Sequence, residues 1–234
     1  MLEGEHIVGV YWDRFGAPET LIVTEEALTR NAVHALAARD RARTLIVPTT
    51  LFAELATLPA GVGVLAVVPT PRSASSAPAD FCLLLDDVQD PGNVGSMLRS
   101  AAAAGIEQVL LSRHCAFAWS PKVLRAGQGA HFLLDIVEDV DLAAWATQYA
   151  LAGGDVLALA AAGGGSLYAT ALTGRVAVAI GNEGAGLSPA LSARATRTVT
   201  IPMPGGMESL NAAAAAAVCL FECVRQRIMT SVTQ

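Results

Sequence analysis

The hydrophobic pattern of residues 81–227 alternates short apolar runs with longer segments whose apolar residues recur at helical spacing. Short runs rich in Val, Leu and Ile are typical of strands buried on both faces of a parallel sheet. Strands are predicted at 81–85, 109–111, 132–137, 156–160, 176–180 and 198–201. Helices are predicted at 93–104, 121–127, 142–152, 187–193 and 210–228. This alternation predicts an α/β fold with a mostly parallel sheet and helices on both faces.

The first 69 residues have a shorter α/β pattern of their own. Strands are predicted at 20–23, 44–47 and 62–68, and helices at 25–39, with Thr24 as N-cap, and at 50–56. Residues 69–78 then contain three prolines and three serines, a composition typical of linkers. The predicted organisation is a small α/β domain at 1–69, a linker at 70–79 and a larger domain at 80–234.

Three stretches of the larger domain share one arrangement: an apolar strand, a loop rich in Gly, Asn and Pro, and then a helix. They are residues 83–100, 176–189 and 197–227. In the third, Pro202 and Pro204 exclude a regular strand or helix because each lacks a backbone N–H. Ligands of parallel α/β sheets bind at the carboxyl ends of the strands. Since all three loops leave carboxyl ends, we expect them to converge on one site.

In this order, with the third at the C-terminus, these stretches resemble the three motifs of the SpoU-type RNA 2′-O-ribose methyltransferases of the SPOUT superfamily. The resemblance covers about residues 81–227 and, more loosely, the part before them. It implies a C-terminal trefoil knot, which pattern reasoning alone would reject because knots are very rare. It also implies a small N-terminal RNA-binding domain, S-adenosylmethionine as cofactor, and a structured RNA as substrate. Among structured RNAs, rRNA is favoured over tRNA.

The resemblance makes Arg99 the catalytic arginine of the first motif and Asn93 its neighbouring asparagine. The residues themselves predict Asn93 as a helix N-cap, with Arg99 roughly 9 Å further along the axis. A ribose hydroxyl is a poor nucleophile, and the oxyanion formed from it needs a nearby positive charge. Arginine is too weak a base to hold the proton, so Arg99 would orient the hydroxyl and a phosphate. The alternative for Arg99 is a surface ion pair with Asp86 or Asp87.

Three further residues receive catalytic roles from the resemblance. Glu183 matches the acidic residue of the second motif, and Ser209 and Asn211 match the polar pair close to the methyl-transfer site. From the residues alone, Ser209 and Asn211 are expected at a helix N-terminus, where such side chains cap free N–H groups. The alternative for Glu183 is a solvent-exposed position in a tight Gly/Asn turn.

The resemblance also implies the cofactor site. Gly181 would contact S-adenosylmethionine, and backbone groups of Ile201 and Leu210, with Met203 beside them, would bind its adenosine part. Glycines stand at positions 1, 4 and 6 of 181–186, the reverse of the dinucleotide fingerprint. A nucleotide-dependent oxidoreductase is therefore the weaker alternative, and a non-catalytic RNA-binding relative is the other.

The net charge of −6 is unexpected for an RNA-binding protein, so any RNA site must be a local basic patch. Two groups of side chains are candidates for phosphate contacts: Arg39, Arg41 and Arg43, and then Arg113, Lys122 and Arg125. The alternative for both groups is solvated surface charge. His114 and His131 could titrate near neutral pH, although a lone histidine is more often structural.

The cysteine spacing, the length of the apolar runs and the first residues bear on metal binding and on cellular location. The four cysteines have no zinc-ligand spacing, and the proposed reaction requires no metal. No apolar run is long enough for a membrane span, and the acidic start does not resemble a signal peptide, so a cytoplasmic protein is expected.

The C-terminal helix predicts a homodimer. Residues 212–224 are alanine or apolar except for Glu222, and an apolar face of this kind favours association. The resemblance implies the same dimer, in which the first-motif arginine of one subunit completes the site of the other. The alternative is that residues 1–69 cover this helix within one chain.

Overall fold

The computed structural model describes residues 1–57, 62–71 and 79–232, which form two β-sheets with their helices. Residues 72–78 of the predicted linker lie outside the described residues. No helix in the described ranges is both long and apolar enough to cross a bilayer.

The first sheet has four strands and is built from the N-terminal residues. Its elements are β1 (Leu2–Glu3), α1 (Glu5–Phe15), β2 (Thr20–Thr24), α2 (Asn31–Arg39), β3 (Thr44–Val47), α3 (Thr49–Leu55) and β4 (Val64–Val67). The strand order is β1-β4-β2-β3, with only β2 and β3 parallel. Helix α1 was not predicted, and it buries Ile7, Val8 and Tyr11.

The single helix predicted at 25–39 is wrong. The Thr24 hydroxyl does accept a hydrogen bond from the Ala27 N–H (3.0 Å), but only a 3₁₀ turn follows, at Ala27–Thr29. Arg30 then has an extended backbone, and its guanidinium lies 2.8 Å from the Glu5 carboxylate and donates to the Val62 carbonyl oxygen. Because these tertiary contacts hold Arg30 outside a helix, α2 begins one residue later.

The second sheet has seven strands. Its elements are β5 (Phe81–Leu85), α4 (Pro91–Ala103), β6 (Gln108–Leu111), α5 (Pro121–Gly127), β7 (Asp135–Val137), α6 (Leu142–Leu151), β8 (Asp155–Leu159), β9 (Gly165–Ser166), β10 (Val176–Ile180), α7 (Pro189–Ser192), β11 (Arg197–Thr200) and α8 (Ala212–Val232). The order is β7-β6-β5-β10-β8-β11-β9, and every pairing among the described residues is parallel. The prediction of a mostly parallel sheet is confirmed.

Helices cover both faces of this sheet, because alternate residues of β5 point into separate cores. Phe81, Leu83 and Leu85 belong to a core that includes residues of α4 and α8. Cys82 and Leu84 belong to another, which includes residues of α6 and α7. All five side chains are at most 1% exposed, which explains why the strand is a continuous apolar run.

The strand predicted at 132–137 is half as long as expected. Of the predicted residues that do not belong to the strand, Phe132 packs against the N-terminal core. Gly129 has a positive φ of 89°, and a 3₁₀ turn, Ala130–Phe132, follows it. The Phe132 ring packs edge-on against Tyr11 of α1, with 5.4 Å between ring centroids. Leu124 of α5 lies in the same cluster as the N-terminal core residues, so the N-terminal sheet packs against this part of the chain.

Helix α8 buries one face in the core and leaves another face in solvent. Ala213, Ala216 and Leu220 lie in the core with α4, and Glu222 is also buried, where it pairs with Arg225 at 2.7 Å. Phe221, in contrast, is 47% exposed. The N-terminal sheet therefore leaves the outer face of α8 uncovered.

Candidate active site

A cleft of about 560 Å³ lies at the carboxyl ends of β8, β10 and β11. Residues from three segments line it, at 159–161, 180–186 and 201–215. Its volume is in the range of small-molecule sites, which is about 300–1,000 Å³. All four predicted cofactor-binding residues line it, namely Gly181, Ile201, Met203 and Leu210.

One chain of hydrogen bonds joins the three motifs at the rim of this cleft. The Asn93 Nδ2 donates to Glu183 Oε1 at 2.9 Å, and the Asn211 Nδ2 donates to Asn93 Oδ1 at 3.0 Å. The Asn211 Oδ1 accepts from the N–H groups of Ala213 (2.9 Å) and Ala214 (3.1 Å) at the start of α8. The three polar side chains are therefore oriented by one another, and the direction of both amides follows from the Glu183 carboxylate, which only accepts.

The pKa of Glu183 is consistent with this orienting role. Partial desolvation acts to raise the pKa, but hydrogen bonds from Asn93 and from nearby backbone groups outweigh it and leave the pKa below its ordinary value. Glu183 is thus ionised at neutral pH and is a weak base. The side chain lies on the solvent-exposed rim, so the effect on stability is small.

The predicted N-cap role of Asn93 is wrong. Helix α4 begins two residues earlier, and Asp90 caps it by accepting from the Asn93 backbone N–H at 2.7 Å. Pro91 occupies the first helical position, where its missing N–H costs nothing. Because Asp90 caps the helix, the Asn93 side chain is free to reach Glu183 and Asn211.

The second-motif loop, residues 181–186, closes on itself. A Cβ on Gly181 would lie 2.1 Å from the Gly186 carbonyl carbon and 2.3 Å from the Leu187 nitrogen, so only glycine fits there. Asn182 and Gly186 exchange backbone hydrogen bonds, both 2.9 Å. The Asn182 Oδ1 also accepts from the N–H groups of Gly184 and Ala185, both at 3.0 Å. The glycine is thus required first by the loop itself, and not only by the approach of a cofactor.

The ends of β5 and β10 hold the first and second loops together. The buried Asp86 carboxylate accepts from the Ser188 N–H at 2.8 Å, and the Asn182 Nδ2 donates to the Asp87 carbonyl oxygen at 2.9 Å. Asp87 has a positive φ of 56°, and its carboxylate accepts from the Ser112 hydroxyl at 2.9 Å. Asn182 was not predicted to hold these loops together, and the available signal was its position between the predicted site residues Gly181 and Glu183.

Arg99 lies apart from the cleft in its own chain. It is on the exposed side of α4 and does not line the cleft, although it is on the same helix as Asn93. Within the described residues it forms no ion pair, whereas Asp86 and Asp87 accept from Ser188 and Ser112. The alternative of a surface ion pair with these aspartates is therefore not observed.

The side chains of both predicted basic groups reach the protein surface. Arg39 pairs with Asp13 at 2.6 Å, and Arg43 lies 3.4 Å from Asp40, while Arg41 is exposed. In the second group, Arg113, Lys122 and Arg125 are all exposed. Arg113 follows β6, at the carboxyl edge of the large sheet where the cleft lies, and Lys122 and Arg125 lie on α5.

His131 is structural and does not titrate near neutral pH. It is 1% exposed, and burial lowers its pKa to about 4. Its Nε2–H donates to the Ala118 carbonyl oxygen at 2.8 Å. In the described parts of the chain, no three His, Cys, Asp or Glu side chains are grouped so that they could hold a metal ion.

The carboxyl end of β8 also contributes to the cleft, although none of its residues was predicted to do so. Leu159, the last residue of this strand, and Ala160 and Ala161, which follow it, line the cleft. They carry no polar side chain, so their only signal was their position at the carboxyl end of a predicted strand.

The fold and the site define a parallel α/β protein with a small-molecule cleft at the carboxyl edge of its sheet and a polar network at the rim of that cleft. Residues 80–221 match the SpoU rRNA Methylase family, and the chain belongs to this family. The resemblance that the three motifs indicate is thereby confirmed.

Several known proteins are similar to this chain. It is 39% identical over 146 residues to the 23S rRNA (guanosine-2'-O-)-methyltransferase RlmB of Xanthomonas campestris pv. campestris, covering 62% of this chain and 59% of that protein. It is 37% identical over 145 residues to the 23S rRNA (guanosine(2553)-2'-O)-methyltransferase RlmP of Bacillus subtilis, covering 62% and 58%. The match spans less than two thirds of the length of these relatives. The solved structure of the SpoU methyltransferase AviRb from Streptomyces viridochromogenes with AdoMet has a TM-score of 0.83 at 30% identity, covering 97% of this chain and 90% of that one.

Proposed function

We propose that this protein transfers a methyl group from S-adenosylmethionine to the 2′-hydroxyl of a ribose in structured RNA. As the substrate, rRNA is favoured over tRNA. The observation that carries the proposal is the hydrogen-bonded series Glu183–Asn93–Asn211, which brings the three motifs together beside the cleft. The rRNA methyltransferases among its relatives support the substrate class.

The cleft fits S-adenosylmethionine in size and in chemistry. Apolar side chains of Leu159, Ile201 and Met203 line it for an adenine ring, and the 181–186 loop supplies backbone groups at its edge. When bound, the cofactor supplies an electrophilic methyl group on a sulfonium centre. The solved structure of AviRb with AdoMet supports the choice of cofactor.

The residues of the chain would orient and stabilise the reacting ribose. Glu183 fixes the Asn93 amide, and Asn93 fixes Asn211, so a donor and an acceptor stand ready beside the cleft at little entropic cost. Ser209, which lines the cleft, is a further hydroxyl within the same wall. The planar guanidinium of Arg99 would hold a phosphate and the ribose hydroxyl and would stabilise the negative charge that develops on that oxygen.

We propose further that the active form is a homodimer in which Arg99 enters the cleft of the other subunit. Arg99 is exposed and does not line the cleft of its own chain, as this arrangement requires. The outer face of α8 supports the dimer, because Phe221 is 47% exposed and Ile228 is 58% exposed on that helix.

The finer points of organisation belong to the same proposal. Residues 1–69 would form an RNA-binding domain, with Arg39, Arg41 and Arg43 as phosphate contacts, and 80–234 the methyltransferase domain. A C-terminal trefoil knot, which the resemblance to the SpoU-type enzymes implies, is part of the same proposal. A protein that modifies rRNA is expected in the cytoplasm.

The test uses the full chain, tritiated S-adenosylmethionine, and 23S rRNA or tRNA transcribed in vitro. Label should enter RNA and survive alkaline hydrolysis in dinucleotides, because a 2′-O-methyl group blocks cleavage at that residue. Asn93→Ala should remove most incorporation, whereas Gln148→Ala, an exposed position on α6, should not change it. Label only in alkali-released mononucleotides would exclude ribose methylation, and RNA binding without any cofactor binding would favour the non-catalytic alternative.

A further inference from the structure

Phe117 is a large aromatic side chain that the fold leaves in solvent. It is 61% exposed, although the next residue, Ala118, is fully buried. On its other side the Ala116 N–H donates to the Val88 carbonyl oxygen at 2.9 Å. Exposure of the ring therefore does not come from a loose loop, since the chain is held on both sides of it.

The turn that carries Phe117 is fixed by further hydrogen bonds. The Ala118 N–H donates to the Glu138 carboxylate at 2.8 Å, and the Ala118 carbonyl oxygen accepts from His131 at 2.8 Å. The Ser120 N–H donates to the Phe117 carbonyl oxygen at 3.0 Å. A ring presented on a backbone this well held loses little entropy when it binds a flat partner.

The turn lies next to the first motif. Val88, which accepts from Ala116, is two residues before Asp90, the cap of the helix that carries Asn93. The turn follows β6, and β6 is adjacent to β5, so both loops leave the same edge of the sheet. Phe117 is thus beside the loop that would face the target ribose.

The charges around Phe117 suit a nucleic acid. Arg113 and Lys122 are exposed on either side of it in the chain. The exposed acidic residues of this region are Asp90, which caps α4, and Asp139 and Asp141, which follow β7, one strand further from the cleft. The Glu138 carboxylate accepts from the Ala118 N–H within the turn itself. Aromatic rings that stack on bases, with cations that contact the flanking phosphates, are how many proteins bind unpaired RNA.

We infer that Phe117 is a stacking platform for an unpaired nucleobase near the target nucleotide, with Arg113 and Lys122 contacting the flanking phosphates. The inference rests on the proposed function, because it takes the partner to be RNA. Phe117 lies outside the three motifs, so the inference adds an aromatic contact with RNA to the contacts that the motifs would provide.

The experiment compares Phe117→Ala, Phe117→Trp and a matched control, Leu151→Ala. Leu151 is 77% exposed at the end of α6, shortly before β8 begins, and therefore at the opposite edge of the sheet. The probes are in vitro transcribed 23S rRNA, a single-stranded oligoribonucleotide and a duplex of the same length. Phe117→Ala should weaken binding of the rRNA and of the single strand by about 5- to 100-fold, as loss of one stacked base does. Phe117→Trp and Leu151→Ala should stay within about twofold of the original protein, and S-adenosylmethionine affinity and duplex binding should not change in any variant.

Three outcomes would overturn the inference. One is Phe117→Ala with unchanged single-strand affinity, and another is an equal loss for the single strand and the duplex. The third is a dimer that Phe117→Ala converts to monomers in light scattering, which would place the ring between two copies of the chain. Binding that depends on Phe117 without methyl transfer would support the inference while refuting the proposed function, and absence of all RNA binding would overturn both.

Discussion

Gly181→Ala tests whether the second-motif loop is closed as tightly as the structure indicates. The added Cβ would lie 2.1 Å from the Gly186 carbonyl carbon, 2.3 Å from the Gly186 oxygen and 2.3 Å from the Leu187 nitrogen. All three neighbours are backbone atoms, which cannot move aside as the end of a flexible side chain can. The 181–186 loop must therefore open, and it carries Glu183 and one wall of the cleft with it.

The expected magnitude follows from this overlap. Forcing a methyl group into a packed site costs about 1–3 kcal/mol. For a chain of 150–250 residues, each kcal/mol lowers the melting temperature by about 2–4 °C. Gly181→Ala should then melt roughly 2–12 °C below the original protein. Displacement of the loop should also weaken the binding of S-adenosylhomocysteine by at least about tenfold, or about 1.4 kcal/mol.

The matched control is Gly184→Ala in the same loop. A Cβ there would meet only the Asn182 Oδ1, at 3.7 Å, which is an ordinary van der Waals contact. Calorimetric melting and isothermal titration with S-adenosylhomocysteine would be run on both variants. Gly184→Ala should melt within about 2 °C of the original protein, because it forces no movement of the backbone.

The reasoning is refuted if Gly181→Ala keeps both the melting temperature and the cofactor affinity of the original protein. A loss of affinity at an unchanged melting temperature would point instead to a direct clash with the cofactor. The two measurements together separate a glycine required by the loop from a glycine required by the ligand.

Three further predictions concern catalysis, assembly and pH. Arg99→Lys should keep the cofactor affinity and the melting temperature of the original protein but lose most methyl transfer, because lysine lacks the planar, forked guanidinium group of arginine. Near-normal turnover of a proven RNA substrate would show that Arg99 is not catalytic. Phe221→Arg on the outer face of α8 should lower the mass measured by light scattering toward that of a monomer and should reduce methyl transfer in parallel. The control Leu151→Arg should change neither. A dimer that Phe221→Arg leaves unchanged would show that this face is not the interface. His131 has a folded pKa of about 4, below its unfolded value, so its stabilising effect is complete above about pH 6.5 and should be lost as pH falls from 6.5 toward 4. Chemical denaturation across this range should show a fall on the order of 3 kcal/mol that His131→Gln flattens, and equal slopes for the two proteins would contradict the assignment.

Local pattern predicted the strands of the large sheet best. The strands expected at 81–85 and 176–180 occur as Phe81–Leu85 and Val176–Ile180. A strand buried on both faces must be apolar at every position, so its bounds are visible in the sequence without knowledge of its neighbours. The predicted helix at 25–39 failed for the opposite reason, because Arg30 is held extended by Glu5 and by the Val62 carbonyl group, both distant in the chain.

The sequence by itself determined the fold class, the family resemblance and seven of the residues that line the cleft, because these depend on residue type and local spacing. Only the tertiary structure decided what those residues do to one another. Asn93 contacts Glu183 and Asn211 across 90 and 118 residues of chain, and Asp90 rather than Asn93 caps α4. Such contacts depend on which strand ends lie side by side, and the strand order places β10 beside β5 and β8 beside β11. The strand order decides which loops are neighbours and can form hydrogen bonds with one another. No local sequence pattern contains that order.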